Sequence, residues 1–314
     1  MKAAVIDTFG SSANLEVRDI PRPVIGPTQI LVEVHAAGVN PIDWKIREGT
    51  MSARFGEVFP MVLGLDVSGV VVETGKAVTQ FSRGDEVWAR SDNGPGGCYA
   101  QYVALNPATV ARKPAELSYL EAGSMPLAAL TCLYGLRDCG QLKAGNKLLI
   151  VGASGGVGVF ALQVAKIMGA HVTAVCSGRN TDLVRELGAD QVIDYTREDI
   201  FQADDRYDVI YDAVGTLDVA EAKRQLADEG IYMTLVPVPG IDFFLPGQTE
   251  RVAGKGYFVA WTPSGADLDI LSGWVRDGRL KPVIDSVFSL DDIRKAHERS
   301  ETLRAAGKIV VQVR

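Results

Sequence analysis

The feature that most constrains this chain is an apolar strand that runs straight into a cluster of glycines. Leu148, Leu149, Ile150 and Val151 lead into Gly152, Ala153, Ser154, Gly155, Gly156, Val157 and Gly158. Phe160, Ala161, Val164, Ile167 and Met168 then recur at the spacing of one helix face. Glycines allow a tight turn and remove the Cβ atoms that would hold a diphosphate away from the backbone. The helix that follows offers unpaired amides and the positive end of its dipole to an anion. Gly152, Ser154, Gly155, Gly156, Val157 and Gly158 are therefore candidate contacts to a dinucleotide diphosphate. The spacing is G-x-x-G-x-x-G, one residue longer than the usual G-x-G-x-x-G. A glycine-rich turn without a ligand is the plain alternative. The strand, turn and helix in sequence argue against it.

The end of the second strand bears on which dinucleotide. A NAD-type unit places an acidic residue there, about 20 residues after the last glycine. Here the stretch reads Val175, Cys176, Ser177, Gly178, Arg179 and Asn180, with no carboxylate. Ser177 can donate to a phosphate and Arg179 can set a guanidinium against its charge. A ribose 2′-phosphate accounts for both, so the expected cofactor is NADPH. A solvent-facing arginine near a helix start is the competing reading.

The 314 residues suit two domains. Before residue 122 the chain is a series of short β-like runs, such as 30–34, 67–73 and 86–89, divided by Gly and Pro, which predicts an irregular, partly closed antiparallel barrel. From 123 strands and helices alternate. Strands are predicted at 147–151, 171–176, 191–193, 207–213, 230–235 and 256–261, and helices at 120–139, with Pro126 expected to delay or kink its start, at 157–168 and at 181–187. Such alternation predicts a doubly wound parallel sheet, in which the third crossover, around 199–205, reads as too short for a full helix. After Trp261 the texture changes again, with helices predicted at 267–277 and 291–299 and a strand at 308–313.

A net charge of −7 and no Lys/Arg cluster argue against nucleic acid. No run of about 18 apolar residues offers a membrane span, and the N-terminus lacks the pattern of a secretory signal. Cys98, Cys132, Cys139 and Cys176 form no C-x-x-C and no disulfide framework. Reduced thiols in the cytoplasm are the expectation.

With these elements in place the chain resembles the zinc-free medium-chain dehydrogenases/reductases, in the branch of quinone oxidoreductases (ζ-crystallin-like) and alkenal or enone reductases. The resemblance is carried by Ala36, Ala37, Gly38, Val39, Asn40, Pro41, Ile42 and Asp43, by Gly64, Leu65, Asp66, Val67, Ser68 and Gly69, and by Gly84, Asp85, Glu86 and Val87. It continues through Gly97 to Tyr102, Pro126 to Thr131, the glycine turn, Leu187 to Asp190, Ile193 to Tyr195, and Gly307 to Val310. It implies an α/β fold. A GroES-like, β-rich substrate domain of residues 1–122 plus 262–314 would carry an inserted Rossmann domain, residues 123–261. It further implies a cofactor in the cleft between them and a homodimer.

Zinc-using relatives carry a cysteine ligand where Asn40 stands and a Gly-His-Glu motif where Gly64, Leu65 and Asp66 stand. His35, His171 and His297 have no ligand spacing. No metal is expected. Alcohol oxidation in this architecture needs a Lewis acid. Without one, the expected reaction is hydride transfer to an acceptor already activated by conjugation, a quinone or an α,β-unsaturated carbonyl. An NADPH-binding structural or partner-binding module with little turnover is the alternative from another class.

Asn40 is a candidate hydrogen-bond donor to the carbonyl oxygen as charge develops on it. It reads equally as a loop cap. Asp43 reads as an anchor for that loop. Thr131 matches a family position near the nicotinamide, or is a helix-interior Thr bonded back to a carbonyl. Tyr195 matches an adenosine-side position, or is an ordinary strand-end aromatic. Val236, Phe258, Val259 and Ala260 match backbone contacts to the cofactor, or are plain core. Trp44, Phe55 and Phe59 could wall a substrate pocket or belong to the core.

Overall fold

The chain opens with eight strands: β1 (Lys2–Ile6), β2 (Glu16–Asp19), β3 (Ile30–Val39), β4 (Met61–Val62), β5 (Asp66–Thr74), β6 (Glu86–Arg90), β7 (Tyr102–Leu105) and β8 (Val110–Arg112). Between them lie α1 (Pro41–Arg47) and α2 (Ser52–Phe55), and after them α3 (Tyr119–Ser124) and α4 (Pro126–Tyr134). The computed structural model describes residues 1–201, 206–239, 241–244, 252, 254–259 and 262–314. Within them the chain forms two compact units, Met1–Leu127 with Pro263–Arg314, and Ala128–Thr262.

In the first unit β3 is the spine. Eight of its ten residues are buried, so it reads as an almost continuous apolar run. It pairs with β5 along most of its length, with β7 over Ile30 to Glu33, and with the last strand of the chain over Ala36 to Val39. The chain re-enters this unit with α8 (Gly265–Arg276), β16 (Ile284–Ser289), α9 (Ile293–Glu301) and β17 (Lys308–Gln312). The sheet runs β16-β17-β3-β5-β6-β8, with β7 also on β3, and a separate three-stranded sheet runs β2-β1-β4. The expected barrel is thus two sheets. Every pairing in them is antiparallel except that of β16 with β17. Val32, Val34, Val67, Val71, Val87, Ile309 and Val311 form part of one buried cluster. Full burial of each such side chain contributes about 1.5–3 kcal/mol.

The second unit holds β9 (Lys147–Val151), α5 (Gly158–Ile167), β10 (His171–Cys176), α6 (Thr181–Glu186), β11 (Gln191–Asp194), β12 (Tyr207–Asp212), α7 (Val219–Arg224), β13 (Leu226–Thr234), β14 (Asp242–Phe244) and β15 (Gly256–Val259). All pairings are parallel, in the order β11-β10-β9-β12-β13-β15-β14. The order turns around between β9 and β12. In a doubly wound sheet such a reversal opens a crevice at the carboxyl ends of the strands.

Two expectations need correction. The helix over 120–139 is broken at Met125: α3 stops, α4 starts with Pro126, and Gly135–Cys139 winds as a π-helix. Pro126 has no N–H to donate to the preceding turn, so it opens a helix rather than continuing one. The strands β14 and β16 and the helix α7 were not expected. They are only three to six residues long, too short for periodicity to declare itself. The third crossover, around 199–205, lies partly outside the described residues.

Candidate functional site

The glycine turn is a consequence of where β9 must end. Gly152 takes φ +76°, and the amides of Gly152 and Ala153 both donate to the Val175 carbonyl, at 3.1 and 3.0 Å. The Gly155 amide donates back to the Gly152 carbonyl at 2.9 Å. Those bonds use up the first part of the turn. The amides of Gly156, Val157 and Gly158 have no hydrogen-bond partner among the described residues. They open α5, a ten-residue helix buried along most of its length. A Cβ on Gly158 would lie 2.1 Å from the Gly152 carbonyl oxygen and 2.6 Å from Ala153 Cα. Backbone cannot swing aside as a side chain can, so this approach requires glycine. The result is a bare cradle of amides at a helix N-terminus, which fits an anionic diphosphate.

The end of β10 is tied to this turn. Asn180 Nδ2 donates to Ser154 Oγ at 2.9 Å and to Ser177 Oγ at 3.5 Å. Arg179 is exposed in the 3₁₀ turn Gly178–Asn180. Tyr195 follows β11, is 48% exposed, and donates its amide to the Cys176 carbonyl. Val236 follows β13, and Phe258 and Val259 close β15. Since the strands are parallel, all of these lie at the carboxyl edge of one sheet. Thr131, in α4, is 5% exposed. Ala260 lies outside the described residues.

Sequence reading missed three features of this edge. Asp194, at the end of β11, sits against Gly178: a Cβ there would meet its Oδ2 at 2.4 Å. It is a carboxylate near Ser177 that chain distance concealed. It accepts from the Thr196 amide and hydroxyl, at 3.0 and 2.7 Å. Those bonds, with Gly178 and Arg197, hold its pKa below the usual carboxylate value. A surface hollow of about 290 Å³ beside it is lined by residues that include two arginines, Arg185 and Arg197, and two carboxylates, Asp194 and Glu198. The second feature is Asn180. The third is the loop after β12. Asp212 is fully buried, and its carboxylate accepts from the amides of Val214, Gly215 and Leu217 and from the Tyr232 hydroxyl, at 2.7–3.1 Å. The loop it holds presses Val214 against Gly152 and brings Gly215 up to Val236.

The first unit holds a buried polar cluster. Asn40 opens α1 and is 2% exposed. Its amide nitrogen Nδ2 donates to Asp66 Oδ2 at 2.9 Å, and its Oδ1 accepts from Lys308 Nζ. Lys308 Nζ is 3.7 Å from Asp66 Oδ2, and the Leu127 amide donates to Asp66 Oδ1 at 2.6 Å. Asp43 Oδ2 accepts from the Asn40 backbone amide and from the Tyr99 hydroxyl, both at 2.8 Å. Asp43 Oδ1 is buried without a partner among the described residues. Burial pushes the Asp43 pKa up to about 7, against the pull of those two bonds.

At the far end of α1, Arg47 is fully buried. It donates to the Gly10 carbonyl at 2.9 Å and to Glu301 Oε1 at 2.6 Å, and contacts His297 Nδ1 at 3.3 Å. Burial, with Arg47 second, drives the His297 pKa down to about 3. His297 is thus a neutral acceptor for Arg47. Phe55 and Phe59 pack against the core of this unit. Lys308 had a sequence signal that went unread: it opens an otherwise apolar run, Ile309, Val310 and Val311, where a charged residue needs a buried partner.

Comparison with known proteins places this geometry among others. A family model described as the alcohol dehydrogenase GroES-like domain matches residues 26–115, and one described as zinc-binding dehydrogenase matches residues 187–311. The chain is 36% identical to the mouse (Mus musculus) NAD(P)H oxidoreductase RTN4IP1, mitochondrial, over 100% of this chain and 89% of that protein. It is 35% identical to the Arabidopsis thaliana NADPH-dependent alkenal/one oxidoreductase, chloroplastic, over 99% of this chain and 79% of that protein. Among solved structures, the quinone oxidoreductase from Coxiella burnetii superposes with a TM-score of 0.88 at 33% identity, covering 100% of this chain and 99% of that one.

Proposed function

The chain belongs to the medium-chain dehydrogenase/reductase family, and from that premise we propose that it is an NADPH-dependent oxidoreductase that reduces quinones or α,β-unsaturated carbonyls without zinc. The observation that carries this reading is the amide cradle at 156–158, tied through Ser154 and Asn180 to a strand end that offers Ser177 and Arg179. The names of the Arabidopsis and Coxiella relatives support the reaction class.

In this reading the amides of Gly156, Val157 and Gly158, with Gly152, Ser154 and Gly155 shaping the turn, hold the diphosphate. Ser177 and Arg179 take the 2′-phosphate, and Tyr195 the adenosine side. Val236, Phe258, Val259 and Ala260 offer backbone to the rest of the cofactor. When bound, NADPH supplies a hydride from nicotinamide C4. The protein holds the acceptor carbon within reach, with Thr131 on the nicotinamide side. The Asn40 amide has a second N–H beyond the one given to Asp66, and this is the donor proposed for the acceptor oxygen.

The name of the matching family model raises zinc. The residues of the first unit do not fit it. Asn40 and Asp66 already share the ammonium of Lys308, and among the described residues no three His, Cys, Asp or Glu side chains come together around a vacant position. A conjugated acceptor needs no Lewis acid. The reading includes a homodimer, and a cytoplasmic setting on the strength of four buried cysteines, none of them in a disulfide; the mouse relative is named as mitochondrial.

The test is loss of NADPH absorbance on adding a benzoquinone or a short alkenal. Turnover with either supports the reading. Binding of NADPH with no oxidation by any conjugated carbonyl favours a cofactor-binding module instead.

A further inference from the structure

We propose that Lys308 is a positioning residue, a tethered cation that holds the Asn40 side chain in the one orientation that leaves an amide N–H free for the acceptor oxygen. This rests on the reductase reading for its consequence, but not for its geometry. The register of the sheet sets it up. Ile309 pairs with Val39 and Val310 with Gly38 across β17 and β3. The next step along that antiparallel ladder brings Lys308 opposite Asn40, just where β3 ends and α1 begins.

A lysine ammonium carries three donors and no acceptor. Buried, with its side chain 3% exposed, it must face oxygen. It meets Asn40 Oδ1 directly and Asp66 Oδ2 at 3.7 Å. A carboxylate accepts and cannot donate, so the other end of the Asn40 amide must present Nδ2 to Asp66, as it does at 2.9 Å. Turning the amide over would set N–H against ammonium and oxygen against carboxylate. Both contacts would be repulsive, and neither group could turn to water. The cation and the anion therefore fix the amide together, and its remaining N–H has one direction. Asp66 is itself fixed by the Leu127 amide at the start of α4.

The experiment is a double-mutant cycle of Lys308→Met and Asn40→Ala, read in kcat with NADPH and a benzoquinone, in NADPH affinity by fluorescence, and in thermal midpoint. If Lys308 acts through Asn40, Lys308→Met alone lowers kcat by about tenfold or more and leaves NADPH affinity within about twofold. In the Asn40→Ala background the same change then lowers kcat by less than about twofold. Equal losses in both backgrounds, or an unchanged kcat in the single variant, overturn the proposal. Lys308→Gln keeps an N–H donor without the charge, and is expected to fall between wild type and Lys308→Met; a loss at least as deep as that of Lys308→Met counts against it. Should the wild-type enzyme oxidise NADPH with no quinone or alkenal, the reductase reading fails. The thermal midpoints still decide the contact: shifts that simply add show that Lys308 does not hold Asn40.

Discussion

At the scale of single residues, Arg179 is the sharpest lever on the cofactor. Its exposure means that the charge is screened, so its contribution should weaken with salt. Arg179→Ala is expected to raise the KM for NADPH by about tenfold, and that for NADH by less than about twofold. Steady-state kinetics with both cofactors check this, and equal changes would sink the 2′-phosphate assignment. Asp194 refines the argument. Sequence order hid it because it lies in the next strand, and parallel pairing of β10 with β11 brings it alongside Gly178. Its charge is met by Thr196, Gly178 and Arg197, which is why an acid beside the proposed phosphate site is tolerable. Asn40 shows the same limit of a linear reading. The family resemblance offered Asn40 as a donor, and its type and neighbours offered it as a loop cap. That its side chain bridges Lys308 and Asp66 was not legible, since 268 residues separate Lys308 from it. Contacts between side chains are set by register, and register is a property of the folded sheet.

At the scale of elements, the β9 turn with α5 was the most legible part, because strand, glycines and amphipathic helix each restate the same local geometry. The structure adds why substitution there should fail. Gly158→Ala places a methyl 2.1 Å from a backbone oxygen. Strand and helix must separate to admit it, at about 1–3 kcal/mol, and the amides of the turn move with them. The expected result is a lower thermal midpoint together with a roughly tenfold weaker NADPH affinity. An alanine variant that binds NADPH normally would show that the close approach does not shape the site. The loop after β12 was not legible, because its position depends on a carboxylate buried at a strand end rather than on any periodic pattern. Val214 is 42% exposed and lies against Gly152. Val214→Asp should fold and should weaken NADPH binding by about tenfold through repulsion of the diphosphate, while Val214→Asn should do so far less. Fluorescence titrations at low salt separate the two, and like effects of both would argue for shape instead of charge.

At the scale of the whole molecule, two buried groups in the first unit pull the pH dependence of stability in opposite directions. His297 has its pKa lowered from 6.5 to about 3 by burial and Arg47. The unfolded chain therefore takes up a proton below 6.5 that the folded chain refuses. Stability from this group is complete above 6.5 and falls on acidification towards 3, by about 1.4 kcal/mol per pH unit. Asp43 has its pKa raised from 3.8 to about 7 by burial. Here the folded chain keeps a proton that the unfolded chain has lost. Its stability is complete below 3.8 and falls as pH rises towards 7, with the same slope and the opposite sign. Between about 3.8 and 6.5 the two cancel, and the intact protein should show little net slope from this pair. Asp43→Asn removes one arm. Its side-chain oxygen can still accept from the Asn40 amide and the Tyr99 hydroxyl, the bonds that Asp43 makes now. The difference in unfolding free energy, variant minus wild type, should therefore climb with pH across that interval by up to about 1.4 kcal/mol per unit. Urea unfolding at several pH values measures it directly, and other titrating groups drop out of the difference. A difference that stays level would mean that Asp43 is ionised in the fold. Its charge would then be balanced by Lys308 and by the guanidinium of Arg90, whose fields both reach it, and the cluster around Asn40 would hold two carboxylates against two cations.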